Sequence, residues 1–126
     1  MKQHLWMNGQ YVEADNYQEL KSPYSKELLA EVAIAGLDHV KAAVDAASEA
    51  IGKMNALPAH KRAEILQKTA NLLAERKEEA AAIIAKEAAK PIKTARAEVD
   101  RTVMTYTFAA EEARRSNGET ITMDAA

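Results

Sequence analysis

Cysteine is absent from the 126 residues. That one absence removes disulfides, thiolate metal ligands and thiol nucleophiles together. Aromatic residues are scarce, with a single Trp and a single Phe, so the core must be aliphatic. The four glycines are scattered at Gly9, Gly36, Gly52 and Gly118, and no Gly-rich phosphate loop can be assembled from them. No apolar run approaches the ~18–20 residues that span a bilayer, so no membrane partner is expected. The opening Met1-Lys2-Gln3-His4-Leu5-Trp6 lacks the apolar stretch of a secretory signal, and a cytoplasmic location is the expectation. The net charge is −2. Phosphate binding needs a clustered cationic surface, so nucleic acid is not an expected partner either.

What is present is ordinary for a globular protein: 48% apolar and 29% charged residues. The fold class expected is an α+β segment, with a small antiparallel β head over residues 1–35 and three to four packed helices over 36–118. Asn8-Gly9 stands between two short apolar runs and predicts a two-residue hairpin turn, because both residues tolerate positive φ. Ser22-Pro23-Tyr24-Ser25 predicts a second turn. Leu28, Ala30, Val32 and Ile34 then alternate as one face of a strand. From Asp38, a plausible N-cap, the period becomes helical. Val40, Ala43, Val44, Ala47 and Ile51 form one stripe, and Gly52 with 55–58 ends that helix. Ile65, Leu66, Thr69, Leu72 and Leu73 form the stripe of the next. The register slips at 75–78, which fits one bent helix or two abutting ones. Pro91 opens a last helix, and Asn117-Gly118 supplies its expected left-handed stop. Residues 119–126 read as the start of a strand.

The last helix is apolar on two sides. Ala95, Val99, Thr102, Val103, Tyr106, Ala110 and Ala113 form one face; Ala97, Arg101, Met104 and Phe108 form a second. Val99 and Arg101 are about 200° apart around the helix, so the two faces are nearly opposed. A helix of this kind is normally buried on both sides, and the other elements can cover only one. Either Met104 and Phe108 are isolated exposed apolar residues, which are common, or a second body covers them. The isolated 126 residues are then expected to self-associate through that stripe.

Residue chemistry by itself supports no catalysis. His4, His39 and His60 share no helix face, so no metal site is expected. No serine stands in a nucleophile elbow. The acidic pairs Glu78-Glu79 and Glu111-Glu112 read as solvated helix faces, with Glu111 and Glu112 in reach of Arg115. Glu87 extends the apolar stripe of Ala80, Ile83 and Ile84. Its expected role is structural: with Lys90 and the free N–H groups after Pro91, it would tie two helix ends together.

Several stretches resemble one family in order and spacing. Glu87-Ala88-Ala89-Lys90-Pro91, followed by Ala95 and Glu98, resembles the "E-(T/A/S)-G-K-P … A … E" signature of the aldehyde dehydrogenase superfamily. The stretch from Tyr106 to Arg115, with Asn117-Gly118-Glu119-Thr120-Ile121, resembles its "Y/F-x-A-x-E-A-R-R-x-x-G-E-T/V-I" segment. Trp6-Met7-Asn8-Gly9-Gln10-Tyr11-Val12 is similar to its opening "I-N-G-x-W/F-V", and Arg62 to Leu66 to its "R-A-x-x-L". One departure is Ala89, where the family usually has glycine in a left-handed turn. Alanine there costs about 1 kcal/mol or more if φ stays positive.

The resemblance implies that residues 1–126 are the N-terminal part of the cofactor-binding domain of an α/β enzyme. Such an enzyme oxidises an aldehyde to its acid with NAD or NADP through a cysteine nucleophile and an oxyanion hole. None of those catalytic residues is among the 126, so the chain alone is expected to be inactive and to bind no dinucleotide. Its implied partners are the rest of the dehydrogenase chain, a small aldehyde and further copies in a homo-oligomer. The last helix would line the substrate tunnel with Ala97, Glu98, Arg101 and Thr105. An arginine there favours a polar or anionic aldehyde, unless it pairs with Glu98 or with carboxylates near Glu111. The resemblance is nearest to the branch holding lactaldehyde and non-phosphorylating glyceraldehyde-3-phosphate dehydrogenases, with succinate-semialdehyde dehydrogenase a neighbour. The competing reading is a free-standing helical interaction module that uses the Ala97, Met104 and Phe108 stripe to bind a partner.

Overall fold

A two-residue strand, β1 (Lys2–Gln3), leads into a hairpin of β2 (Leu5–Met7) and β3 (Gln10–Val12). The structure, a computed structural model, describes residues 1–124. Asn8 and Gly9 take φ of 47° and 75°, the two positive values that a type I′ turn requires. Trp6 and Tyr11 pair across the hairpin, edge-on with ring centroids 4.7 Å apart. Such cross-strand aromatic pairs contribute ~0.5–1 kcal/mol.

A separate sheet follows. β4 (Asn16–Lys21) pairs antiparallel with β5 (Leu28–Ile34), and β1 lies parallel on the far edge, giving the order β1-β5-β4. The turn between β4 and β5 closes through Ser22 N–H to the Glu27 carbonyl and Lys26 N–H to the Ser22 carbonyl. Pro23 needs no donor there. The alternation predicted for β5 is present, but its cover is not. Ala30 is buried, whereas Val32 and Ile34 on the same side are exposed, and a register shift between Leu28 and Ala30 takes the exposed Leu28 out of the alternation.

The helical body comprises α1 (Leu37–Ala56), α2 (Ala59–Glu75), α3 (Lys77–Ala88) and α4 (Ile92–Arg115). The N-cap of α1 is Gly36, not Asp38; Asp38 lies in the first turn, where its charge suits the helix dipole. Gly52 is carried within α1 instead of ending it. The stripe Val40, Val44 and Ile51 faces solvent, and α1 has no fully buried residue. Its end is held by Arg62, whose guanidinium donates to the Leu57 carbonyl at 2.5 Å. That gives the arginine of the "R-A-x-x-L" stretch a structural task. α2 and α3 are two abutting helices that meet at Arg76. The inner face of α2 is rotated from the predicted one. Ala63 and Ala70 are buried, while Ile65 and Leu72 are exposed.

α4 packs along both α2 and α3, which barely touch each other. The contact with α3 is built on small residues: Ala81 and Ala95 are 0% exposed and Val99 is 2% exposed, with Ala80, Ile84 and Ala85 around them. Ion pairs flank it. Arg96 grips Glu78 with two nitrogens at 2.8–3.0 Å, and Lys77 reaches Asp100 at 2.6 Å. The Glu78 carboxyl is held below its ordinary value, chiefly by the hydrogen bond from Arg96; Glu79 is lowered likewise by Arg76 and Glu64 by Lys61. A depressed carboxylate stabilises above its unfolded pKa of about 4.3, and that contribution is lost as pH falls through the lowered value. Glu78→Gln should therefore lower the urea midpoint at pH 7 and leave it unchanged near pH 2, a difference that salt diminishes.

α3 ends on Ala89 at φ 52° and ψ 34°, a left-handed cap. The alanine therefore keeps the conformation that the family signature assigns to glycine. Ala89→Gly relieves the Cβ clash and should raise stability by about 0.5–1 kcal/mol, read as an increase in urea midpoint without a change in slope. At the other end, α4 stops at Ser116, with φ −69°, and neither Asn117 nor Gly118 has positive φ. The expected left-handed stop is therefore not made. Nor is the expected strand: residues 119–124 form none, because no neighbouring strand offers its N–H and C=O groups. Residues 125–126 of that expectation lie outside the described residues.

Candidate functional site

The outer face of α4 carries a cation between apolar side chains. Ala97, Arg101 and Thr105 follow one another at four-residue spacing and are all exposed. Met104 and Phe108, 56% and 57% exposed, project within about 60° of Arg101 on the same side. The opposite side, through Ala95, Val99 and Ala110, is buried. One face thus fixes α4 to α2 and α3, and the other presents a guanidinium flanked by a thioether and a phenyl ring.

The polar groups of this face differ in their freedom. Thr105 Oγ1 donates to the Arg101 carbonyl at 2.9 Å, and Thr102 does the same to the Glu98 carbonyl at 2.9 Å. Thr105 therefore has its proton engaged and offers a ligand only lone pairs and a methyl group. Glu98 is turned to the edge of the face, where its carboxylate accepts from Lys90 Nζ at 2.6 Å. Arg101 makes no ion pair among the described residues; pairing with Glu98 or Glu111 does not occur. Near the end of α4, Arg115 pairs with Glu112 at 2.6 Å.

Three of the predicted site residues, Ala97, Arg101 and Thr105, share the face, with Glu98 beside it. Lys90 and Pro91 form the α3–α4 connection. Glu87 is a correction: it is exposed and receives no hydrogen bond among the described residues, so it is not the tie between the helix ends. Lys90 with Glu98 makes that tie. The Glu78–Arg96 and Lys77–Asp100 pairs were missed by sequence reasoning. They join residues 18 and 23 apart, beyond the reach of any i, i+4 rule.

The β5–α1 turn is not arranged for a pyrophosphate. The one strand-to-helix turn among the described residues runs from β5 through Gly36 to α1. There the Gly36 N–H donates to His39 Nδ1 at 3.1 Å, and Asp38 places negative charge in the first turn. A pyrophosphate needs free N–H groups and no acid at that point. Among the described residues no three His, Cys, Asp or Glu side chains converge as metal ligands.

Residues 11–126 match the model of the aldehyde dehydrogenase family, and the chain belongs to that family. It is 36% identical over 122 residues to a 3-sulfolactaldehyde dehydrogenase of Priestia aryabhattai, covering 97% of this chain and 25% of that protein. It is 33% identical over 120 residues to a lactaldehyde dehydrogenase of Methanocaldococcus jannaschii, covering 95% of this chain and 26% of that protein. Among solved structures it resembles aldehyde dehydrogenase 21 of Physcomitrella patens in complex with the reaction product succinate. The TM-score is 0.93 at 35% identity, covering 99% of this chain and 26% of that one. The chain spans about a quarter of the length of the relatives it matches.

Proposed function

We propose that residues 1–126 form the N-terminal part of the cofactor-binding domain of an NAD(P)-dependent aldehyde dehydrogenase, in which the outer face of α4 is one wall of the substrate tunnel. The substrate is a small polar or anionic aldehyde, oxidised to its acid. Ala97 leaves room along the wall, Arg101 attracts and orients the anion or hydroxyl, Thr105 offers an acceptor, and Glu98 marks the edge. The single observation that carries this reading is an arginine without an ion-pair partner among the described residues, on an exposed helix face. The named substrates and product of the relatives support it: 3-sulfolactaldehyde and succinate carry an anionic group, and lactaldehyde a hydroxyl.

The remaining parts of this proposal follow from the family. The nucleophile, the oxyanion donors and the dinucleotide site belong to residues outside 1–126, and these 126 residues alone are inactive. The rest of the dehydrogenase chain covers Met104 and Phe108, and a homo-oligomer in the cytoplasm is the working form. Assaying the complete protein with NAD and NADP against succinate semialdehyde, lactaldehyde and propanal tests this. A kcat/KM at least about tenfold higher for an anionic or hydroxylated aldehyde is expected, the effect of one charge-assisted contact. Preference for propanal overturns the substrate class. A protein that ends at Ala126 and turns over none of them overturns the enzyme and favours the interaction module.

A further inference from the structure

We infer that Lys90 is a positioning residue for substrate selectivity: by holding the Glu98 carboxylate, it keeps the Arg101 guanidinium free to meet an anionic substrate. The inference rests on the tunnel-wall reading of α4. Glu98 and Arg101 are three residues apart on one helix, a spacing at which opposite charges meet. The structure demonstrates that this spacing suffices. Glu112 and Arg115, in the same helix and the same order, pair at 2.6 Å, and Arg76 pairs with Glu79 at 2.6 Å. Glu98 and Arg101 nevertheless remain apart, as do Glu111 and Arg114, and the Glu98 carboxylate is taken by a competitor. Lys90 Nζ lies 2.6 Å from Glu98 Oε1.

The competitor arrives by backbone design. Ala89 in the left-handed region turns the chain at the end of α3, and Pro91 fixes φ on entry to α4. Between them Lys90 is carried back over α4, eight residues from its partner. The Glu98 side chain is 30% exposed, against 71% for Glu112, so its pair is the better shielded of the two. With Lys90 present, the three side chains leave one positive charge, and it resides on Arg101. Without it, Glu98 is free to turn to Arg101 and the local charge is cancelled. Arg101 then meets an anion only by giving up the carboxylate.

The test uses the complete protein and the ratio of kcat/KM for succinate semialdehyde to that for propanal. Lys90→Met should lower this ratio by about threefold to tenfold, the size of one partly shielded ion pair, and do so through KM. Lys90→Arg should retain the ratio, and Lys90→Met with Glu98→Gln should restore it, because the competing carboxylate is gone. In an Arg101→Met background, Lys90→Met should have no further effect on the ratio. Glu98→Gln alone, which does not depend on the Lys90 variant folding, should raise the ratio by up to about twofold. A purely structural role for Lys90 would depress both aldehydes alike and leave the ratio untouched; that outcome, or failure of the double variant to restore it, overturns the inference. If Arg101→Met lowers the ratio and Lys90→Met does not, the inference falls and the tunnel wall stands. If Arg101→Met leaves the ratio unchanged, both fall.

Discussion

Replacing Arg101 with Met in the complete protein should cut kcat/KM for succinate semialdehyde by about 10- to 100-fold relative to propanal. A hydrogen bond to a charged group contributes about 1.5–3 kcal/mol, and each ~1.4 kcal/mol is a factor of ten. Methionine keeps much of the length and apolar surface of the arginine stem, so the change isolates the charge and its fork of donors. The loss should appear mainly in KM. An anion remote from the aldehyde is held equally in the ground state and the transition state, and removing such uniform binding leaves kcat nearly unchanged. Arg101→Lys should fall between the two, since it keeps the charge and loses the bidentate geometry. Initial rates with both aldehydes give the answer. An equal loss for succinate semialdehyde and propanal would mean that Arg101 supports the helix and does not meet the substrate.

The elements of this chain were legible where backbone chemistry dictated them. Asn8-Gly9 could form only one kind of tight hairpin, and Pro91 could only begin a helix. The family motif marked the Ala89 position as left-handed for a glycine and left open whether an alanine keeps that conformation; the structure keeps it. The faces were read less well. Stripes of Ile, Leu and Val were taken as the buried sides of α1, α2 and β5. The structure buries Ala63, Ala70 and Ala81, which those stripes left out, and leaves Val40, Ile65, Leu72 and Val32 exposed; the face of α4 through Ala95, Val99 and Ala110 is buried as expected. Two physical facts account for this. Alanine lets helix backbones approach closely, so the tightest contacts are made by the smallest apolar residues. The large side chains are then left on faces that nothing among the described residues covers. The strand expected from residue 119 onward is not formed over residues 119–124 for a related reason: propensity alone does not form a strand without a ladder partner. At the site, helical periodicity was enough to group Ala97, Arg101 and Thr105. It could not tell which partner Glu98 would choose, because Lys90 enters from another element.

The other large effect expected is on the fold. Ala95→Leu should destabilise the chain by about 2–3 kcal/mol, toward the upper end for overpacked cores. Ala95 and Ala81 are both fully buried, and Val99 stands one turn further along α4. A leucine in place of the Ala95 methyl group would have to displace the α3 backbone or adopt a strained rotamer, because close-packed interiors hold no spare volume. α3 is poorly placed to retreat. Its first turn is held to α4 by Lys77–Asp100 and Glu78–Arg96, and the connection at its other end by Lys90–Glu98. Exposed pairs of this kind are individually weak, so they should not prevent the shift; they add their own loss to its cost. The same enlargement two residues on, Ala97→Leu, falls on the exposed face and should change stability by less than about 0.5 kcal/mol. Urea unfolding followed by helical circular dichroism compares the two. If Ala95→Leu proved as mild as Ala97→Leu, α3 and α4 would not be in backbone-close contact. The separation of α4 into a packed face and an exposed face would then fail, and with it the physical basis for the proposal that Arg101 stands on a tunnel wall.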